Sequence, residues 1–234
     1  MKVFLCLFIA LTFSIPTKSQ ILISLLFGDK LNSEKIEFGL DGGLSASDLA
    51  GINNSELKPA FFLGLYFDFK LSEHSFLHTG VIMKSPFGAK GINPYSIGVA
   101  NLDSLLKGAS VQRNLEYFSL PLFLKYKFDS NLFMELGPQI GFLRRAEDDF
   151  VASVDNDDDL DYTNPITDDF KRWDIGVSAG IGYKLLGGRG INLGVRYYLG
   201  LSDINNRDDA SSIYNRNIYV FAGIPIGSIT QSER

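Results

Sequence analysis

Residues 115–144 read LEYFSLPLFLKYKFDSNLFMELGPQIGFLR. Two runs alternate with period two, 115–128 and 131–144, and only Asp129 and Ser130 separate them, so the segment reads as a tight antiparallel hairpin. One parity is apolar: Leu120, Leu122, Leu124 and Tyr126, then Leu132, Met134, Leu136, Ile140 and Phe142. The other carries Lys125, Lys127, Glu135 and Gln139 together with Gly137 and Gly141. Glycine weakens a strand, and a solvated surface has no use for it. The narrow lumen of a small barrel does, because its inward side chains compete for space. The polar, glycine-rich parity is therefore expected to point inward and the apolar parity to face lipid.

The same pattern extends in both directions. Strands are expected at 35–45, 59–70, 76–84, 115–128, 131–144, 172–185, 190–201 and 216–226. Connections 46–58, 85–114, 145–171 and 202–215 are long, whereas 71–75, 129–130 and 186–189 are tight. Long loops at one rim and tight turns at the other describe an outer-membrane barrel. The fold class expected is all-β, an eight-stranded antiparallel up-and-down transmembrane β-barrel over 35–226. Its inward parity also carries Glu37, Asp41, Asp68, Lys70, His78, Lys84, Asp174, Lys184 and Arg196, with glycines such as Gly39, Gly176, Gly180, Gly182 and Gly194. Phe69, Tyr126, Phe128 and Tyr183 near the turns, and Phe61, Phe118, Phe142 and Trp173 near the loops, fit two interfacial girdles. Pro121 and Pro138 each remove a ladder donor, so a bulge is expected at each. A soluble lipocalin-like periplasmic barrel is the alternative, with the two faces exchanged and an apolar cavity inside.

The start of the chain supports export. Met1 and Lys2 precede the apolar run Val3–Ile15, and Pro16 to Ser19 follow, which reads as a signal peptide over 1–19 cleaved before Gln20. Cleavage removes Lys2 and Lys18, leaving 20 basic against 27 acidic residues, a balance of −7. That acidity argues against a nucleic-acid partner. Cys6, the one cysteine of the 234 residues, lies inside the signal, so the mature chain has no thiol for disulfides, nucleophilic catalysis or metal binding. Residues 20–34 form a periplasmic leader whose stretch Ile21–Phe27 either covers the periplasmic mouth or is a short ordered lead-in. Residues 227–234 form a polar C-terminal tail.

Three stretches carry a family resemblance. Leu120–Tyr126 (LPLFLKY), Leu136–Gly141 (LGPQIG) and Tyr198–Ile204 (YLGLSDI), in that order and spacing, resemble PorT-like outer-membrane β-barrel proteins of Bacteroidetes. The resemblance covers roughly 35–226 and implies an outer-membrane barrel of about eight strands. The namesake is associated with protein secretion across the outer membrane, and most relatives have no assigned activity. Two features depart from the pattern. The chain ends in a polar tail where such barrels usually finish on an aromatic residue, and the segment Gln20–Glu34 precedes the first strand.

Catalytic chemistry has little to stand on. The two histidines are His74, in a tight turn, and His78, pointing inward near the same end. Asp68 or Ser75 could partner His78 for general-base work, but a lumenal histidine beside carboxylates is expected to be structural. The inward charges are expected to form a buried ion-pair network that includes Arg196 and fills the lumen. Residues 147–169 hold ten acids, and Asp155, Asp157 and Asp159 begin like a calcium loop. Leu160 and Ile166 then stand where Gly and Glu are needed, so a solvated, self-repelling loop is expected, with loose Mg²⁺ or Ca²⁺ recruitment as the alternative. Asn101 is expected to cap a short helix bearing Leu102, Leu105 and Leu106 that lies over the mouth or meets a partner. No catalytic, cofactor-binding or metal residue is assigned. The function expected is that of a non-enzymatic outer-membrane barrel with a side-chain-filled lumen and long extracellular loops, acting in interaction, secretion support or envelope integrity. A narrow small-solute channel is the alternative. Outer-membrane lipid and lipopolysaccharide, and an envelope or secretion-system protein, are the expected partners.

Overall fold

The computed structural model describes residues 33, 35–154, 158–188, 190–207 and 211–226. The expected signal peptide, the tail 227–234 and all of the leader except Ser33 lie outside the described residues, as do Asp155 and Asp157. Nine strands form one sheet: β1 Ile36–Ala50, β2 Lys58–Lys70, β3 Ser75–Ile92, β4 Ser110–Lys127, β5 Leu132–Val154, β6 Asp158–Pro165, β7 Trp173–Lys184, β8 Asn192–Gly200 and β9 Tyr214–Pro225. Every pairing is antiparallel, and eight strands close a ring in the order β1-β2-β3-β4-β5-β7-β8-β9. Closure runs between β1 and β9, from Gly39 opposite Pro225 to Ala50 opposite Tyr214. A closed ring leaves no open edge, which is what hydrocarbon demands of a sheet.

The faces divide as the alternation predicts. Leu136 is 59% exposed whereas its neighbour Glu135 is 3% exposed, and this contrast repeats along β4, β7 and β8. The exposed residues form an apolar band with aromatic rims. Phe142 meets Trp173 edge-on at 5.1 Å at the loop end, and Tyr126 meets Phe128 at 5.0 Å at the turn end. The tight turns follow local chemistry. Leu186 (φ 51°), Gly187 (φ 62°) and Gly188 (φ 84°) are all left-handed between β7 and β8, a conformation that glycine adopts without steric cost.

Four expectations need correction. The long connections are shorter than read, because β1, β3, β4 and β5 continue above the aromatic rim. The acidic segment 145–171 is not a loop: β5 runs on to Val154 and β6 pairs back along it, from Glu147 opposite Pro165 to Val154 opposite Asp158. This hairpin arm stands outside the ring, and above the membrane its two faces no longer see contrasting solvents, so period-two patterning fades. Bulges do not occur at the prolines; the register runs unshifted past Pro121 and Pro138. The pairing between β4 and β5 simply skips from Pro121–Gln139 to Leu124–Leu136 and resumes in phase. The bulges lie higher: between Ile82 and Ser85 and again between Ala89 and Ile92 in β3, and opposite Glu116–Tyr117, where Arg144 is the extra residue of β5. Each switches parity, which turns Lys84 outward over the Phe61 ring instead of inward and leaves both Arg144 and Arg145 exposed. Finally, the short helix α1 (Ala100–Leu105) begins after Val99 with no side-chain cap, and Asn101 does not cap it. Asp103 instead accepts hydrogen bonds from the Ser96 hydroxyl and the Ile97 amide.

Lumenal glycines have a specific cause. A methyl group on Gly182 would overlap the Phe133 ring, one on Gly194 the Phe221 ring, and one on Gly176 the Tyr198 ring. Each ring comes from a neighbouring strand and lies across the bare backbone, a pairing that covers the glycine and widens nothing. Gly182→Val should therefore lower stability by about 1–3 kcal/mol through overpacking, seen as an earlier loss of the compact, unboiled band when the purified protein is heated before electrophoresis. The parent chain should show two mobilities, one before and one after boiling.

Candidate functional site

The lumen is a column of charges and rings. At its centre Arg196, fully buried on β8, donates from Nε to Glu135 Oε1 at 2.6 Å and lies 3.4 Å from Asp41 Oδ2 through Nη1. Its guanidinium is held between the Phe221 and Phe123 rings, at 4.5 and 5.0 Å. Phe123 stacks in turn on His78, and His78 on Tyr66, at 5.7 and 5.6 Å. Below this, Lys125 Nζ donates to Asp68 Oδ2 at 2.7 Å, while His78 Nδ1 lies 2.6 Å from Asp68 Oδ1. Nearest the turns, Lys184 pairs with Glu37, which also accepts from the Tyr66 hydroxyl at 2.9 Å. The expected ion-pair network is thus present, and three buried cations are each matched to a carboxylate.

Sequence reasoning missed the aromatic half of this column. Tyr66, Phe123, Phe133, Tyr219 and Phe221 are all buried and share the parity of Lys125, Glu135 and Arg196. Writing out that parity in full would have found them. His78 is sealed among these rings at 4% exposure, and Ser75 is not its partner. His74 sits at the rim, its Nδ1 3.1 Å from the Lys127 carbonyl.

The loop end is closed by the chain itself. β2 and β3 pair only as high as Leu63 and Lys84. Above that level β3 leans across the mouth: the Pro86 carbonyl accepts from Asn217 Nδ2 at 3.2 Å and the Gly88 carbonyl from Ser47 Oγ at 3.0 Å. Phe87 then packs edge-on against Tyr117 and Tyr198, both at 5.3 Å, which spans the barrel. Leu106, just after α1, joins the same core at 2% exposure, so that segment caps its own barrel, whereas Leu105 points away at 56%. The β5–β6 arm is tied down by Asp148, which is fully buried. It accepts from Arg113 through Nε at 2.8 Å and Nη2 at 2.6 Å, and from the Tyr95 hydroxyl at 2.7 Å. Burial first, and then the Asp148 charge, push the Tyr95 phenol up to about 12.

Lys58 fills the seam left where β3 departs from β2. It lies above the Phe61 rim, outside the spanning band, and its Nζ donates to Asn114 Oδ1 at 2.6 Å. Burial lowers its pKa from 10.5 to about 8, against the opposing pull of Asp149 and Glu116.

Two measurements test these assignments. Arg196→Met leaves Glu135 and Asp41 buried without their cation, and should cost about 3–5 kcal/mol; adding Glu135→Leu to the same chain should recover part of the lost urea resistance. For Lys58, the folded chain releases its proton near pH 8 while the unfolded chain holds it to about 10.5. The unfolded state therefore binds more protons in that window, and stability should rise with pH across it. Lys58→Met should flatten that slope.

Comparison with known proteins follows the same lines. The family described as "Outer membrane protein beta-barrel domain" matches residues 27–206, which is 180 of the 234 residues. No curated protein sequence matches the chain. Among solved structures, the attachment invasion locus protein Ail of Yersinia pestis is similar at 10% identity and a TM-score of 0.42, over 82% of this chain and 99% of that one. Neisserial surface protein A is similar at 11% identity and 0.41, with coverage of 82% and 99%. The outer membrane protein OprG of Pseudomonas aeruginosa is similar at 13% and 0.35, with coverage of 82% and 93%. With an apolar outer band, a polar interior and a family match over most of its length, the chain belongs to the outer-membrane β-barrel domain family and sits in the outer membrane, not free in the periplasm as a soluble ligand-binding barrel.

Proposed function

We propose that this protein is a non-enzymatic outer-membrane barrel that works through its extracellular cap, as an interaction platform in the cell envelope. The observation that supports the reading most directly is the sealed lumen: ion pairs and stacked rings fill the column from Glu37 to Arg196, and Phe87 closes it above. An eight-stranded ring is just wide enough for such filling. Hydrolytic chemistry has no foothold in that column, because His78 is enclosed by Tyr66 and Phe123 with no path for a substrate. In this reading the strands that outlast the membrane, and the β5–β6 arm, face the outside of the cell. Lipid and lipopolysaccharide surround the apolar band, and Arg144 and Lys84, each over an aromatic ring at the upper rim, suit the anionic headgroup level. Within this reading, the PorT-like stretches favour an envelope or secretion-system protein as the partner, in secretion support or envelope integrity.

The experiment is electrical. The purified barrel, reconstituted in a planar bilayer, should show no discrete single-channel steps. Steps that appear in the parent chain and change amplitude in Arg196→Gln would overturn the reading in favour of narrow transport.

A further inference from the structure

Two bulges flank one stretch of β4 at the same height. On the β3 side, Ile82 lies opposite Ser119 and Ser85 opposite Tyr117, so Met83 and Lys84 share Phe118 as their partner. On the β5 side, Leu143 lies opposite Tyr117 and Arg145 opposite Glu116, and Arg144 is the extra residue. A bulge disrupts the ladder and re-aims a side chain. Here the two act alike. The inward alternation of His78, Gly80 and Ile82 along β3 would turn Lys84 into the lumen, and the bulge sends it out. The bulge in β5 puts the consecutive Arg144 and Arg145 both outside.

Lys84 and Arg144 land on the aromatic rim. Lys84 Nζ stands 5.8 Å from the centre of the Phe61 ring, and the Arg144 guanidinium 4.9 Å from that of Phe118. Across the outer surface from β2 to β5, ring and cation therefore alternate: Phe61, Lys84, Phe118, Arg144. Directly below, the lipid-facing positions are apolar, with Val81, Leu120 and Ile140 exposed. The carboxylates of this sector stand higher and act elsewhere. Glu147 holds Arg145 at 2.9 Å, and Glu116, the next outward residue above Phe118, pulls on Lys58. The acidic stretch 155–161 follows Val154, which is ten residues beyond Arg144, or about 33 Å of strand. Charge is thus sorted by height, with cations at the margin of the hydrocarbon and carboxylates above.

A cation at that margin is costly without an anion close by, and the anions that a membrane places at this depth are lipid phosphates. A planar guanidinium fork on one side and an ammonium on the other suit a phosphate held above the Phe118 ring. On the outward side of an outer membrane the anionic lipid is lipopolysaccharide, whose lipid A carries phosphate monoesters. We propose that Lys84 and Arg144 form a clamp for a lipid A phosphate in the rim sector between β2 and β5. The proposal rests on the reading that the loop end faces the cell exterior. It deepens that reading by giving the barrel a fixed lipopolysaccharide neighbour beneath the β5–β6 arm.

The test uses the full barrel in an amine-oxide detergent, which brings no competing anion. Native mass spectrometry reads the retention of three probes: diphosphoryl lipid A, the same lipid stripped of its phosphates, and phosphatidylglycerol. Diphosphoryl lipid A should be retained most strongly, and less so as salt rises. Lys84→Gln and Arg144→Gln should each weaken its retention about fivefold, the worth of one basic residue at an anionic surface, and the double variant about 25-fold. Lys107→Gln, the same loss of charge on the exposed turn after α1, should change nothing. Both clamp residues are exposed, so the heat-dependent gel shift should survive; if one variant loses it, the other carries the test. Equal retention of the stripped lipid, or a folded double variant that binds like the parent, overturns the clamp. Equal retention of phosphatidylglycerol overturns lipid A as its ligand. Discrete channel steps would defeat the proposed function and leave the clamp standing, whereas a non-conducting barrel that binds lipid A without regard to its phosphates defeats the clamp alone.

Discussion

The structure turns on one guanidinium. Arg196 lies at the centre of an eight-stranded ring, out of contact with water, between the Phe123 and Phe221 rings and against Glu135 and Asp41. A charge so placed is tolerable only when its partners are held in exact positions, because desolvation costs more than loose pairing returns. The glycines opposite Phe133, Phe221 and Tyr198 meet that demand, since they let the rings lie against bare backbone and leave room for charges beside them. Ion pairs, rings and glycines are one device for filling a lumen whose width is set by strand number.

The same filling explains why the molecule is built upward. A ring whose lumen is filled with side chains can vary in build mainly at its ends, and here the loop end is elaborated. The bulges at Met83 in β3 and Arg144 in β5 are the mechanical means. Each adds one residue at the upper rim, switches the inward parity, and raises local twist. Above its bulge, β3 leaves β2 and crosses the mouth with Phe87 underneath. Above its own, β5 leans out to carry β6. Both bulges also deliver cations outward at the rim, which the neighbouring rings of Phe61 and Phe118 support.

How much of this could be read from the chain depends on contrast. Within the membrane band, solvent differs on the two faces, so Leu120–Tyr126 and Leu132–Phe142 alternate cleanly and the ring, its direction and its charged lumen were legible. Above the band the contrast ends, and the extensions of β3 and β5 and the whole of β6 were read as loop. Bulges were assigned to Pro121 and Pro138 because proline is visible in a sequence. The extra residues, Met83 in β3 and Arg144 in β5, have no such mark, since a bulge there depends on how neighbouring strands share a register.

The sequence by itself determined the eight strands of the ring, its inside and outside, and the need for a paired, side-chain-filled lumen, because those follow from period-two patterning and from the cost of burying charge. The pairs themselves were decided by the tertiary structure: Arg196 with Glu135 and Asp41, Lys125 with Asp68, Lys184 with Glu37. So was the closure of the mouth by β3. These partners lie up to 155 residues apart in the chain, and only barrel closure, which fixes which side chains share a level, brings them within hydrogen-bonding reach.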